Sequence, residues 1–218
     1  MRVQSALHTP EEFLAAYGDR SWEFYRPLVA ALVEFSPPGL VLDVGAGTGL
    51  FVECCAKFGI TCVGLEGALA GAAPARAKGL RMVLSRLEHP LPFADRSFAS
   101  VMCNQVIEHV HADTARGLLT EARRVLAPGG VLFVQSPSPR DPQQRAEPGH
   151  INLYLPSRLR QEVRRAGFEI LAERNGPIRP LGQGKFRDLL FTGLLRITGW
   201  ADLLSASANV VARRPRDG

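Results

Sequence analysis

A chain of 218 residues, 46% hydrophobic and 22% charged, is long enough to bury the core of one compact domain and too ordinary in composition to be disordered, collagen-like or coiled-coil. No stretch supplies the ~18 uninterrupted apolar residues of a membrane span, because Arg187, Asp188, Arg196 and Asp202 break the most apolar segment near the C-terminus. The net charge of +5 rests on 26 basic residues, all arginine except Lys57, Lys78 and Lys185, scattered without a basic run or arm, which argues for a solvated surface and against a nucleic-acid partner. Met1 to Pro10 has one Arg and no apolar run behind it, so no secretion signal is expected. Cys54, Cys55, Cys62 and Cys103 form no C-x-x-C pair, which points to a reducing, cytoplasmic compartment.

From Glu11 to Phe35, apolar residues recur at spacings of three and four, predicting two helices separated near Gly18. Pro37-Pro38-Gly39 ends this preface. Beyond it, short apolar runs alternate with helical patterns, the signature of βαβ units and a parallel sheet. Strands are expected at residues 40–44, 60–65, 80–84, 98–103, 131–135 and 168–172, with a late one at 209–212. Helices are expected at residues 49–58, 69–77, 112–126 and 156–166, the third stopped by Pro128-Gly129-Gly130 and the fourth by Gly167. Residues 136–149, rich in Pro, Ser and Gln, read as a loop, and residues 176–207 as an amphipathic helical insertion before the final strand.

The strongest local signal is Val41-Leu42-Asp43-Val44-Gly45-Ala46-Gly47-Thr48-Gly49, a buried strand running into a glycine-rich turn and then a helix. Glycines let a ligand approach the backbone, and a helix N-terminus offers it unpaired N–H groups. The spacing departs from a dinucleotide fingerprint, since the third glycine comes one residue early and Leu50 takes the place reserved for Gly or Ala. Asp43 aims a carboxylate at the turn, awkward beside a pyrophosphate and well suited to an ammonium or sulfonium group. Glu66, at the end of the second strand, can accept both hydroxyls of a ribose. Together they describe a nucleoside whose charged tail lies over the glycines.

With Leu91-Pro92-Phe93-Ala94-Asp95-Arg96-Ser97-Phe98, Val106-Ile107-Glu108-His109-Val110 and Arg124-Val125-Leu126-Ala127-Pro128-Gly129-Gly130, these residues resemble the successive motifs of class I S-adenosylmethionine-dependent methyltransferases, over Gly39 to Ile170. The resemblance implies an α/β fold: a three-layer αβα, doubly wound, mostly parallel seven-stranded sheet with a reversed last strand. The whole chain, residues 1–218, is then a single methyltransferase domain with a helical preface (1–38), a cofactor-binding core (39–173), a helical insertion or lid (174–207) and a last strand (208–213). It implies S-adenosyl-L-methionine as cofactor, with S-adenosyl-L-homocysteine as product, held by Asp43, Gly45, Ala46, Gly47, Gly49 and Glu66, with Asn104 and Gln105 against it after the fourth strand. Where the family often has an acid touching the adenine, this chain reads Ser85-Arg86-Leu87-Glu88, so only the displaced Glu88 is available.

A sulfonium makes its methyl group electrophilic, so the protein mainly aligns a dehydrated nucleophile. His109 and His150 follow the fourth and fifth strands, whose ends face the ligand, and with Tyr154 are the candidates for the acceptor side. Ubiquinone-pathway O-methyltransferases and small-RNA 2′-O-methyltransferases carry E-x-x-E-H after the fourth strand, binding a divalent cation. Here Gln105 stands in place of the first Glu, which weakens a Mg²⁺ site although the His-rich remainder suits a softer ion; no metal is expected. In the insertion, Phe186, Phe191 and Trp200 are expected to wall an apolar acceptor pocket, with docking to a partner helix or membrane surface, or dimerisation, as the rival. The reading is methyl transfer to oxygen or nitrogen of a small organic acceptor by a monomer or homodimer. An RNA methyltransferase and a non-catalytic nucleoside-binding module are the alternatives.

Overall fold

The computed structural model describes residues 21–175 and 201–216. In the interior of the sheet, β1 (Val41–Val44) is buried at all four residues, as a parallel strand covered on both faces must be. The other strands are β2 (Cys62–Glu66), β3 (Met82–Leu84), β4 (Phe98–Asn104), β5 (Leu126–Pro137), β6 (Glu169–Glu173) and β7 (Ser207–Arg213). They lie in the order β3-β2-β1-β4-β5-β7-β6. Strands β1 to β5 run parallel, while β7 is antiparallel to both β5 and β6, so the expected seven-stranded sheet with a reversed last strand is what the sequence forms.

Alternation along the strands divides the core into two layers. Leu42, Val44, Val101, Cys103, Leu132 and Val134 pack with Leu118 and Leu119 of α4 (Ala112–Val125) and Leu159 and Val163 of α6 (Pro156–Arg165). Val41, Met102, Val131 and Phe133 pack on the other side with Val29 and Leu32 of α1 (Arg26–Phe35) and Phe51 and Val52 of α2 (Leu50–Lys57). The helix α3 (Leu69–Ala77) lies between β2 and β3 in the chain, at the bounds its periodicity predicts. Among the described residues, no helix is long and apolar enough to cross a membrane.

Several boundaries differ from expectation for local reasons. Ahead of α1 the chain makes a 3-10 turn at Trp22–Tyr25, and the helix expected from Glu11 falls outside the described residues. The α4 helix ends at Val125, and β5 starts directly at Leu126, which pairs with Phe98. The Pro-Gly-Gly stop therefore lies inside the strand span, with Gly129 at φ 80°. The expected loop at residues 136–149 contains the end of β5 and a short helix, α5 (Pro142–Ala146), capped by Asp141, whose side chain accepts from the N–H of Gln143 at 2.9 Å. An N-cap Asp followed by Pro is a start signal that the composition of the segment obscured. Most of the insertion lies outside the described residues, Phe186, Phe191 and Trp200 included. Its end forms α7 (Ala201–Leu204), and Ser207 belongs to β7, paired with Pro137.

Arg214, buried just beyond β7, fastens the sheet to the end of α4. Its guanidinium donates to the carbonyls of Arg123 at 2.9 Å and Leu126 at 2.7 Å, completing acceptors that a helix C-terminus leaves unpaired. Arg214→Met, which keeps the aliphatic stem, is expected to cost about 1.5–3 kcal/mol, read as a lower urea midpoint at unchanged slope.

Candidate active site

β1 has β2 on one side and β4 on the other, so the carboxyl ends of these strands bound the crevice in which such sheets hold ligands. The glycine turn fills its floor. Gly45, Gly47 and Gly49 have φ of 69°, 53° and 77°, left-handed values that L side chains resist. The turn is laced to the end of β2: Gly45 and Ala46 donate their N–H to the carbonyl of Leu65 at 2.8 and 3.0 Å. Gly47 donates to Glu66 Oε2 at 2.9 Å and Ala68 to Glu66 Oε1 at 2.8 Å. Each oxygen of Glu66 thus keeps a lone pair for a ligand hydroxyl. Gly49 opens α2 where a Cβ would stand 2.6 Å from that of Ala75, so the third glycine serves close packing against α3.

Asp43 is 5% exposed at the end of β1. Burial, and then the charge of Glu66, push its carboxyl well above the usual range. Two acids crowded at one end of the turn suit a cationic ligand, which would relieve both effects. Asn104, the last residue of β4, has its side-chain oxygen buried without a partner. Gln105 is exposed at φ 60°, its N–H held by the carbonyl of Gln135 at 3.0 Å. The expected cofactor residues on β1, β2 and β4 therefore all stand at the carboxyl edge.

Glu88 does not join them. It is exposed in a cleft with Leu87, His89 and, from α4, Asp113 and Gly117, because the segment after β3 is drawn onto α4 by a bond from Leu91 N–H to Glu121 at 2.8 Å. The edge instead carries two apolar side chains that the sequence reading passed over. Leu84, at the end of β3, is 49% exposed, and Leu69, at the start of α3, is 60% exposed. Leu84 pairs with Glu66 in the sheet register, so its exposed side chain stands next to that acid.

After β4 the chain makes a 3-10 turn at Ile107–His109. The carbonyl of Glu108 accepts the N–H groups of Ile151 at 2.9 Å and Asn152 at 3.1 Å, which brings the loop carrying His150 onto this turn. The rings of His109 and His150 lie 4.8 Å apart at 58°. His109 Nδ1 is 3.0 Å from the carbonyl of Gly149, and His150 Nδ1 is 2.8 Å from that of Gln144. Desolvation, and to a lesser degree His150, lower the His109 pKa against the pull of the Gly149 carbonyl.

Glu108 is fully buried, with neither carboxyl oxygen in a hydrogen bond. Its pKa is pushed up to about 8 by burial, against weaker downward pulls from its own backbone and from Ser136; the Ser136 hydroxyl itself donates to the carbonyl of Pro137. One donor atom from each of Glu108, His109 and His150 lies within 4.8 Å of the others. A hard cation held by two carboxylates does not fit this set, since Gln105 supplies no charge and a single acid remains.

Tyr154 stands apart from the imidazole pair. It is 2% exposed within the core layer of α4 and α6, accepts a bond from Asn152 at 2.6 Å and lies under the guanidinium of Arg158 at 4.4 Å. Because its hydroxyl is engaged and its ring covered, it corrects the expectation of an aromatic pocket wall and acts as a support for the loop.

The fold and the glycine turn define the class I S-adenosylmethionine-dependent methyltransferase architecture. A family model described as a methyltransferase domain matches residues 17–173, and the chain belongs to that family, whose cofactor is S-adenosylmethionine. It is 36% identical over 136 residues to a demethylmenaquinone methyltransferase of Tropheryma whipplei, covering 61% of this chain and 55% of that one. It is 34% identical over 134 residues to the ubiquinone/menaquinone biosynthesis C-methyltransferase of Geotalea daltonii, covering 56% and 54%. The chain thus spans about half the length of these curated relatives. Among solved structures, a SAM-dependent methyltransferase from Archaeoglobus fulgidus superposes with a TM-score of 0.69 at 18% identity, covering 88% of this chain and 94% of that one.

The glycine turn packs directly against the segment after β4 at Gly45. A Cβ on Gly45 would lie 2.5 Å from a methyl of Val106, the residue that leads into the His109 turn. Gly45→Ala is expected to destabilise the protein by about 2 kcal/mol or more, from the left-handed φ and the clash together. Combining it with Val106→Ala should recover part of the loss, seen as a non-zero coupling in a urea double-mutant cycle.

Proposed function

We propose that this chain transfers a methyl group from S-adenosylmethionine to a small acceptor carrying an acidic O–H or N–H. The observation that carries the reading is the pairing of two chemistries at the carboxyl edge of one sheet, an acid-flanked glycine turn after β1 and an imidazole pair after β4 and β5, joined through Gly45 and Val106. When bound, S-adenosylmethionine supplies an electrophilic methyl group on a sulfonium. Asp43 and Glu66 give its positive tail a negative setting, Glu66 accepts the ribose hydroxyls, and the buried oxygen of Asn104 is available to a ligand N–H. His109 and His150 orient the nucleophilic atom, so that the barrier falls chiefly through alignment and exclusion of water. All four cysteines are buried free thiols, which supports a reducing, cytoplasmic setting.

The names of the relatives favour a second reading, methylation at carbon of a hydroxylated ring of the quinone-precursor type. Such a ring is nucleophilic at carbon or oxygen once its hydroxyl is ionised, so the same imidazole pair serves both. Turnover of a hydroxylated aromatic with methyl-labelled cofactor, followed by NMR of the product, decides the matter through the atom that carries the label.

Glu66→Ala is expected to weaken cofactor binding by about 1.5–3 kcal/mol in calorimetry, with NAD failing to compete for the wild-type site. Unchanged affinity would remove the ribose assignment. His150→Ala is expected to lower turnover about 10²-fold with cofactor affinity near the parent value. Parental turnover would return His150 to the loop.

A further inference from the structure

Three side-chain amides stand in line across the carboxyl edge of the sheet. Asn104 of β4 is in register with Gln135 of β5, and Gln135 with Asn209 of β7. Residues in register share a face of a sheet. Here it is the face of α1 and α2, because Met102, Phe133 and Val211, two residues nearer the core on the same strands, pack against those helices. Both ends of the row are unfinished. The side-chain oxygens of Asn104 and Asn209 are buried with no hydrogen-bond partner, and proteins rarely leave a buried acceptor so. The Asn209 amide cannot turn to relieve this. Its NH₂ donates to the carbonyl of Arg174 at 2.6 Å, and its main-chain N–H donates to Asn175 Oδ1 at 3.0 Å, so the oxygen is fixed as the open end of the amide. Arg174 itself, the cation next to Asn209, donates to both oxygens of Glu34 at 2.8 and 2.7 Å. Gln135, part-buried between the two asparagines, carries an amide that both donates and accepts.

We propose that Gln135 and Asn209 are specificity-determining residues that hold the far end of the acceptor and select a neutral hydrogen-bond donor there, a hydroxyl or an amide N–H, over a carboxylate. The inference rests on the methyl-transfer reading and deepens it by naming the class of acceptor. Asn104 stands with the cofactor residues, so the Asn209 oxygen is the one left for the acceptor. A locked oxygen offers lone pairs and no proton: a carboxylate meets repulsion there, whereas an N–H or O–H completes the row. A carboxamide satisfies both residues at once, giving its N–H to Asn209 and taking the NH₂ of Gln135 on its oxygen. Neighbouring strands lie about 4.8 Å apart, which puts Asn209 roughly 10 Å from Asn104. A two-ring aromatic has about that length, with the reacting hydroxyl at the Asn104 end and the donor at the Asn209 end.

The test uses the full chain saturated with S-adenosylhomocysteine and three naphthols followed by their own fluorescence: 6-hydroxy-2-naphthamide, 6-hydroxy-2-naphthoate and 2-naphthol. They share the reacting hydroxyl and differ in what the opposite end presents. The amide is expected to bind about tenfold more tightly than either of the others. Asn209→Leu and Gln135→Leu are each expected to abolish that preference, with S-adenosylhomocysteine affinity and circular dichroism at parental values. Equal binding of the three naphthols, preference for the naphthoate, no binding of the amide, or a preference that survives in the folded variants would each overturn the proposal. Should Asn209→Leu fail to fold, Gln135→Leu alone decides. Methyl transfer is scored separately with labelled cofactor. Transfer without the amide preference removes the role of the row and keeps the function, whereas the preference without transfer to any of the three counts against the function alone.

Discussion

A turn made of glycines has more freedom to lose than any other backbone, and here one carboxylate removes much of it. Glu66 accepts from Gly47 on one side and from Ala68 on the other, while the Leu65 carbonyl takes the two preceding N–H groups of the turn. The end of β2 thereby holds the end of β1 in its left-handed path. Without that hold, the start of α2 would have no fixed direction and the crevice no floor. The same carboxylate raises the cost of ionising Asp43, so the clamp that shapes the turn also biases it toward a positive ligand.

The loop that carries His150 is ordered differently, by a backbone carbonyl together with a chain of side-chain bonds. Glu108 receives two N–H groups from the segment after His150. Asn152 donates to the carbonyl of Ile107 and to Tyr154, and Arg158 donates to Asn152 and covers the Tyr154 ring. Asp202, at the start of α7's first turn, accepts from the backbone and the hydroxyl of Ser157 at the head of α6, so the end of the insertion is tied to the helix that supports this loop. Polar networks that are fully satisfied fix one geometry, which is what two facing imidazoles require. Glu108 is the exception within the network. Its main-chain carbonyl accepts two N–H groups while neither carboxyl oxygen has a hydrogen-bond partner.

Periodicity and punctuation in the sequence determined the strand order's raw material: seven strands, their alternation with helices, and the glycine turn with Asp43 and Glu66 at its edges. These are local features, in which each residue type carries its own conformational preference. They placed α3 and the start of α4 to the residue, and missed α5 because a capping Asp and its following Pro were hidden in a segment whose overall composition reads as loop. Tertiary structure alone decided the rest. That the segment carrying Glu88 lies against α4 goes with bonds between that segment and two α4 side chains, Leu91 N–H to Glu121 and Arg124 to the carbonyls of Leu91 and Phe93, about thirty residues away in the chain. That Tyr154 is covered and that Glu108 meets two histidines, one of them forty-two positions on, depends on hydrogen bonds between loops. Such meetings join residues distant in the chain and leave no period in it, so the physical reason they escape the sequence is that their energy lies in pairs of positions rather than in either one.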